Sequence, residues 1–267
     1  MTSRKFSRKV QHGLRLLGLD PVRTWQTLSC VPRFLASFTR YRRLAAEDDP
    51  FPCTSLFPVF GEDREAAGRG RGHYFYQDLL VAQWIHERRP QRHVDVGSRI
   101  DGFVAHVAAF RAIDVIDIRP LTESIANVRF QQCDVMGELP ERWRHSTDSL
   151  SCLHALEHFG LGRYGDPLDP RGWRKGFNNL ASMITPGGWF YLSVPIGPQR
   201  TEFNAHRVFS IRTLLDLFAN KFVIRRFAVV GDDDHLRLDV PLSAEVIANN
   251  AGCLFGCGIF EAQASSV

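Results

Sequence analysis

Two apolar segments that end in acidic residues carry the most informative chemistry in this sequence. Residues 93–97 read His-Val-Asp-Val-Gly, and a second apolar run ends at Asp117, twenty residues after Gly97. Gly97 permits a sharp turn and close approach of a ligand to the backbone, while Gly102 can relieve crowding at the start of the next helix. A carboxylate after the second strand of such a unit can accept both hydroxyls of a ribose. The spacing predicts an adenosine-containing ligand, although Asp95 and Asp117 can also act only as caps or strand ends.

The class of nucleotide is narrowed by the residues after the first glycine. Gly97 and Gly102 have the spacing of a phosphate-binding loop, but Phe-Val at 103–104 stands where that loop requires Lys and Ser or Thr. We therefore do not predict ATP. A nicotinamide dinucleotide remains an alternative, although its GxGxxG loop needs a glycine at the position of Arg99.

The surrounding sequence predicts the elements that position these residues. Strands are expected near residues 93–97, 113–118, 128–133, 148–154, 188–194, 222–230 and 253–262, and helices near 76–87, 101–110, 171–184 and 210–219. Strands that alternate with helices imply a mostly parallel sheet covered on both faces. We expect one α/β domain over residues 73–267 and a basic helical extension with a linker over residues 1–72.

Positive charge is concentrated at the N-terminus. Through Arg43 there are ten Lys and Arg residues and one acid, Asp20, which gives a net charge of +9, whereas the remaining residues carry a net charge of −5. Apolar residues interleave with these cations, so the segment could lie on an anionic membrane surface. The alternative is a solvated helical arm that packs on its own domain, and we do not predict nucleic acid as a partner. We expect neither a transmembrane helix nor a secretory signal, because the apolar run 14–19 is short and interrupted.

The six cysteines predict neither a disulfide framework nor a metal site. They lie at positions 30, 53, 133, 152, 253 and 257, without a CxxC pair or a nearby set of histidines. Cys253 and Cys257 are expected to be packed thiols. This usage favours a reducing, cytoplasmic compartment, with peripheral contact to the inner membrane surface as an option for the basic arm.

Later segments resemble the class I S-adenosylmethionine-dependent methyltransferases. The segment 180–195, LASMITPGGWFYLSVP, resembles their fifth-strand region, and the loop DVGSRIDG (95–102) resembles their first motif. Asp117 matches the acid after strand two, Cys-Asp-Val at 133–135 matches the adenine-edge motif, and the segment 154–158 matches the region after strand four. The resemblance implies a Rossmann-like, mostly parallel seven-stranded sheet with helices on both faces and a C-terminal antiparallel hairpin.

A narrower resemblance joins four further segments to bacterial methyltransferase-like proteins of unassigned substrate, which are often associated with surface-polysaccharide biosynthesis. The segments are GHYFYQDL, HVDVGSRIDGFVAH, EHFGLGRYGDPLDP and CGIFE. The sequence departs from the superfamily pattern because Arg99 and Asp101 replace two of the three glycines of the first motif. Either this loop follows a different path, with Asp101 meeting the ammonium of the cofactor, or binding has been lost.

The resemblance implies a role for each matching residue toward S-adenosylmethionine. Gly97 and Ser98 would line the methionine half, Asp117 would hold the ribose with Ile118 beside the adenine, and Asp134 and Val135 would bind the adenine edge. His154 would lie under the sulfonium. The full set of expected cofactor residues is Asp95, Gly97, Ser98, Asp101, Gly102, Asp117, Ile118, Asp134, Val135 and His154.

Methyl transfer to a hydroxyl benefits from a base and from alignment of the acceptor. His158, Glu157 and His206 are the candidate catalytic residues, since histidine titrates near neutrality. The loop 160–176 lies where sheets of this kind bind ligands, so we expect acceptor recognition there, by Arg163, Tyr164, Asp166 and Asp169. For each of these residues, a purely structural role is the alternative.

The sequence therefore predicts a class I methyltransferase that acts on a small-molecule hydroxyl, such as a saccharide or glycolipid precursor. One rival is a non-catalytic methyltransferase-like scaffold in a polysaccharide-assembly complex. A nicotinamide-dependent oxidoreductase is the third interpretation.

Overall fold

The computed structural model describes residues 18–44, 53, 55–60 and 70–265. The chain divides into two units, residues 1–69 and 70–267. In the first unit, helix α1 spans Pro21–Leu44, and the rings of Phe34 and Phe60 meet edge to face at 5.7 Å. The basic and apolar residues 1–17 of the predicted arm lie outside the described residues. Among the described helices, none is both long enough and apolar enough to cross a membrane.

The strands of the second unit in chain order are β1 (His93–Val96), β2 (Ile113–Asp117), β3 (Val128–Gln132), β4 (Thr147–Leu153), β5 (Ile184–Ile196), β6 (Arg200–Glu202), β7 (His206–Val208), β8 (Phe222–Val230), β9 (Leu236–Arg237) and β10 (Gly256–Ala264). Eight of them form one large sheet with the order β3-β2-β1-β4-β5-β10-β8-β9. The first five strands pair in parallel, and β10 lies antiparallel between β5 and β8. The predicted fold class is confirmed; the structure adds the two-residue strand β9 at one edge and the separate β6–β7 pair.

Helices cover both faces of this sheet, as the alternating side chains of its strands require. The helices are α2 (His73–Arg88), α3 (Ala105–Ala108), α4 (Gly172–Met183), α5 (Ile211–Phe218) and α6 (Ala244–Ala248). Neighbouring residues of β5 enter opposite cores: Phe190 packs with Phe177 of α4 on one face, and Tyr191 packs with Trp84 of α2 on the other. Buried apolar surface on both sides thus fixes the sheet between the two helical layers.

The helix expected over 101–110 takes a different form. A π-helical turn spans Ile100–Val104 and leads into the single turn of α3. Gly102 has non-helical backbone angles, and a Cβ at this position would lie 2.6 Å from an oxygen of Asp78 on α2. The close approach of α2 therefore interrupts the regular helix that local periodicity predicts.

Candidate functional site

A cavity of about 490 Å³ opens at the carboxyl ends of β1, β2 and β4 and beside the residues that follow β3. Ligands bind in this position in open α/β sheets, because the loops after parallel strands form a crevice there. Twelve of the seventeen predicted site residues line it: Gly97, Ser98, Asp101, Asp117, Ile118, Asp134, Val135, His154, His158, Arg163, Tyr164 and Asp166. The other five, Asp95, Gly102, Glu157, Asp169 and His206, are not among the lining residues.

The turn after β1 requires glycine at position 97. Gly97 has φ +77°, and a Cβ there would lie 2.8 Å from the Cβ of Ala155. Its N–H donates to the carbonyl oxygen of Ile116 at 2.9 Å, which ties the ends of β1 and β2 together. The bare backbone of this turn therefore forms part of the cavity wall, as the sequence predicts.

Asp95 stabilises this turn through hydrogen bonds. Its carboxylate accepts the backbone N–H of Ser98 at 3.1 Å and the hydroxyls of Ser98 and Ser151 at 2.7 and 2.5 Å. Burial raises the pKa of Asp95 to about 7, against the opposing effect of these hydrogen bonds. Asp95 is thus a positioning residue for the loop, and Gly102, which faces Asp78, lies outside the cavity wall.

Two arginines at the rim bind the acids expected to meet the cofactor. Arg119 donates to both oxygens of Asp117, at 3.0 and 2.6 Å, and its guanidinium lies 4.6 Å from the ring centre of Tyr164. Arg99 binds both oxygens of Asp101 at 3.0 and 2.7 Å. Both carboxylates therefore already form ion pairs with arginines two residues away in the sequence.

The residues after β3 also combine a structural contact with exposure to the cavity. Asp134 accepts the backbone N–H of Met136 at 2.8 Å, which is the turn-capping interaction. The carbonyl oxygen of Val135 accepts from the side-chain amide of Asn179 at 2.8 Å. Both residues line the cavity, so this capped turn also presents the expected adenine-edge segment.

A buried network follows β4. Nδ1 of His154 lies 2.7 Å from Oε1 of Glu157, and both side chains are almost completely buried. Burial opposes the charged form of the imidazole, but Cys257 and Glu157 raise the pKa of His154. Burial alone would raise the pKa of Glu157, but the neighbouring His154 and His158 lower it below its usual value. Glu157 does not line the cavity itself but contacts two histidines that do, His154 and His158.

His158 has the geometry of a neutral base. Its Nδ1 lies 2.7 Å from the carbonyl oxygen of Ala205, an acceptor that requires the proton on Nδ1. Nε2 consequently carries the lone pair and lies 3.7 Å from Oε1 of Glu157. Burial lowers the pKa of His158, an effect opposed by Glu157 and reinforced by the charge of Arg163.

Asp166 organises the predicted acceptor loop. Its carboxylate accepts the backbone N–H groups of Gly160, Gly162 and Tyr164 at 2.8, 3.1 and 3.1 Å. Asp169, by contrast, pairs with Lys175 at 2.7 Å away from the cavity lining. Asp166 is therefore chiefly a residue that shapes the loop, while Arg163 and Tyr164 present side chains to the cavity.

The structure does not bring His206 together with the cavity. Its ring packs at 4.9 Å from that of Phe255, and its Nε2 lies 3.3 Å from a carboxylate oxygen of Glu202. The neighbouring carbonyl of Ala205 instead contacts His158.

Arg119 is a cavity residue that the sequence interpretation missed. The available signal was its position two residues after Asp117, from which the arginine side chain can fold back onto that carboxylate. Tyr74 also lines the cavity, with the guanidinium of Arg99 lying 5.7 Å from its ring centre.

Comparison with solved structures shows that the chain shares its fold with an N-methyltransferase and with a cyclase. The chain is similar to N-methyltransferase NodS from Bradyrhizobium japonicum WM9, with a TM-score of 0.50 and 11% identity over 74% of this chain and 99% of that one. It is also similar to the [4+2]-cyclase SpnF, with a TM-score of 0.51 and 16% identity over 75% of this chain and 86% of that one. At these identities the likeness establishes the fold, and the two relatives are named for different reactions.

Comparison with known sequences does not assign a function to the chain. Residues 121–244 match a family model described as Caenorhabditis protein of unknown function, DUF268. No curated protein matches the chain. The function is therefore argued from the site itself.

Proposed function

We propose that this chain is an S-adenosylmethionine-dependent methyltransferase that acts on a hydroxyl group of a small-molecule acceptor, a saccharide or glycolipid precursor. One observation carries the proposal: the expected cofactor residues from the ends of four successive strands converge on a single cavity of about 490 Å³. This volume falls within the range of about 300–1,000 Å³ that is common for small-molecule sites.

The residues present fit S-adenosylmethionine. Gly97 leaves the cavity wall free of side chain, and Asp117 and Asp134 place carboxylates at separate points of the same cavity. Asp117 would accept the ribose hydroxyls once Arg119 moves aside, while Asp134 and Val135 would meet the adenine edge. When bound, the cofactor supplies an electrophilic methyl group on its sulfonium.

His158 would remove the acceptor proton. Its Nδ1 is held by the carbonyl of Ala205, so Nε2 is the free basic atom, and its lowered pKa keeps the ring neutral. Glu157, 3.7 Å from Nε2, would stabilise the imidazolium that forms. A positioned base near the acceptor typically contributes a rate factor of about 10²–10⁴.

The acceptor would bind between the cofactor residues and the loop that Asp166 organises. Tyr164 packs edge to face on His158 at 5.4 Å and lies beneath Arg119 and Arg163. The two guanidinium groups over this ring are hydrogen-bond donors that suit a sugar bearing hydroxyl groups. The narrower resemblance to polysaccharide-associated proteins supports the same acceptor class.

Transfer of a labelled methyl group tests this function. The full chain is incubated with methyl-labelled S-adenosylmethionine and either saccharide and glycolipid precursors or, as a control, small amines. We expect label in a saccharide-containing product that loses it on ether cleavage. Label in amines alone would overturn the hydroxyl assignment.

A non-catalytic scaffold is the second candidate. The observation that favours it is the pairing of Asp117 and Asp101 with Arg119 and Arg99, which engages both carboxylates without a ligand. A scaffold of this kind would bind neither S-adenosylmethionine nor S-adenosylhomocysteine although folded.

We further propose that the basic N-terminus holds the protein on the cytoplasmic membrane surface. The net charge of +9 through Arg43 supports attraction to anionic lipid of about 1 kcal/mol per cation near the surface. Sedimentation with anionic vesicles should decrease with salt and with deletion of residues 1–43. Salt-independent binding, or unchanged binding after the deletion, would contradict the proposal.

A further inference from the structure

Three potential metal ligands from distant parts of the sequence meet beside the cavity. His73 opens α2, His154 follows β4, and Cys257 lies in β10. One ligand atom from each residue lies within 4.8 Å of the others. The two imidazole rings stack with their centres 5.3 Å apart.

The environment of His154 is that of a metal ligand. Nδ1 of His154 is held 2.7 Å from Oε1 of Glu157, whereas Nε2 is buried and has no hydrogen-bond partner among the residues that the structure describes. In metal-binding histidines, the N–H of the second ring nitrogen commonly donates a hydrogen bond to a carboxylate, which fixes the tautomer and the ring orientation. A buried nitrogen that makes no hydrogen bond is costly, and a bound metal ion would satisfy it.

Cys257 completes a donor set of defined chemistry. Its side chain is fully buried, its Sγ lies 4.0 Å from Oε1 of Gln77 and 3.9 Å from the carbonyl oxygen of Gly258, and it interacts with His154 strongly enough to raise the pKa of that residue. Two imidazoles and one thiolate suit zinc and related transition metals, whereas magnesium and calcium prefer oxygen ligands.

We propose that His73, His154 and Cys257 bind a divalent transition-metal ion of the zinc class. Binding forms two metal–nitrogen bonds and one metal–sulfur bond, and the thiol proton of Cys257 and the Nε2 proton of the charged His154 are released to solvent. Three protein ligands leave a fourth tetrahedral position. Of the three ligands, His154 also lines the cavity. The site goes beyond the proposed function and does not depend on cofactor binding.

The test is a cobalt titration of the tag-free, full-length protein after removal of metal by a chelator. We expect one Co²⁺ per chain, with thiolate-to-cobalt charge-transfer absorption and the intense visible bands of four-coordinate cobalt. Addition of Zn²⁺ should abolish both. Magnesium, the oxygen-preferring control, should leave the cobalt spectrum unchanged.

Matched variants separate this site from other thiols and imidazoles. Cys257→Ala should abolish the charge-transfer band, whereas Cys152→Ala, a buried cysteine of β4, should retain it. His73→Gln should weaken binding at least tenfold, and the exposed control His106→Gln should not. Glu157→Gln removes the carboxylate behind His154 and should weaken binding by about 10–100-fold.

Three outcomes of these experiments would contradict the metal site. Folded wild-type protein that gives no charge-transfer band overturns the proposal, as does a band that persists in Cys257→Ala. If Cys257→Ala fails to fold, His73→Gln decides, because His73 is only half-buried at the first position of α2. Wild-type affinity in that variant would exclude the three-ligand site.

Discussion

The guanidinium of Arg119 binds both carboxylate oxygens of Asp117, with Nε 3.0 Å from Oδ1 and Nη2 2.6 Å from Oδ2. The Asp117 side chain is only 12% exposed, whereas that of Arg119 is 47% exposed. The arginine therefore sits on the solvent side of the acid. A ribose that binds this carboxylate therefore competes with the guanidinium.

Replacement of Arg119 should consequently strengthen cofactor binding. Arg119→Gln removes a competing ion pair, and pairs with this exposure are worth about 0.2–1 kcal/mol. We expect the affinity for S-adenosylhomocysteine to rise by that amount in calorimetry, with Arg225→Gln on β8 as the control. Weaker binding by Arg119→Gln would instead show that the guanidinium itself contacts the cofactor.

His158 and His206 form a matched pair for the catalytic base. Only His158 lines the cavity, so His158→Gln should lower turnover by about 10²–10⁴-fold while affinity for S-adenosylhomocysteine stays constant. His206→Gln should retain most of its turnover. The measurement is initial-rate methyl transfer to the saccharide acceptor identified in the labelling assay. Equal losses in the two variants would remove the assignment.

The acceptor loop should depend on Asp166 and much less on Asp169. Asp166→Ala leaves three backbone N–H groups without their acceptor, and one hydrogen bond to a charged group contributes about 1.5–3 kcal/mol. We expect faster proteolysis within residues 160–170 and a lower free energy of unfolding in urea. Asp169→Ala should resemble the wild type in both assays. Similar behaviour of the two variants would contradict the role given to Asp166.

Asp95 should make stability depend on pH. Its pKa is about 7 in the folded protein, and a free aspartate has a pKa of about 3.9. Between these values the folded state keeps a proton that the unfolded state releases, so the free energy of unfolding falls as pH rises. The slope approaches about 1.4 kcal/mol per pH unit.

Asp95→Asn removes this titration. From pH 5 to pH 7, the free energy of unfolding of the wild type should decrease relative to that of the variant, as measured by urea unfolding. Asp216→Asn, at an exposed position of α5, is the control and should follow the wild type. A difference between Asp95→Asn and wild type that is independent of pH would show that the buried carboxyl does not titrate in this range.

Local sequence patterns predicted the sheet well. The segments that form β1, β2, β4 and β5 are mostly buried, and burial on both faces of the sheet leaves few alternatives for them, whereas the edge strand β3 is only partly buried. Gly97 was predictable for the same reason, since a turn with positive φ after a buried strand excludes most side chains.

The remaining features depend on contacts between distant segments. The π turn at Ile100–Val104 follows from the contact of Gly102 with Asp78 on α2, which no local pattern reveals. Likewise, His73, His154 and Cys257 meet only after β10 has inserted between β5 and β8. The spacing of the cysteines along the sequence could therefore not predict that Cys257 lies beside these two histidines.

Calorimetric titration of the full chain with S-adenosylhomocysteine tests the central claim most directly. We expect one site per chain, and Asp117→Ala should weaken binding by about 1–3 kcal/mol, because the ribose hydroxyls lose their buried acceptor. Absence of binding by folded wild-type protein would contradict the methyltransferase and favour the scaffold. Binding of NADH in its place would favour an oxidoreductase.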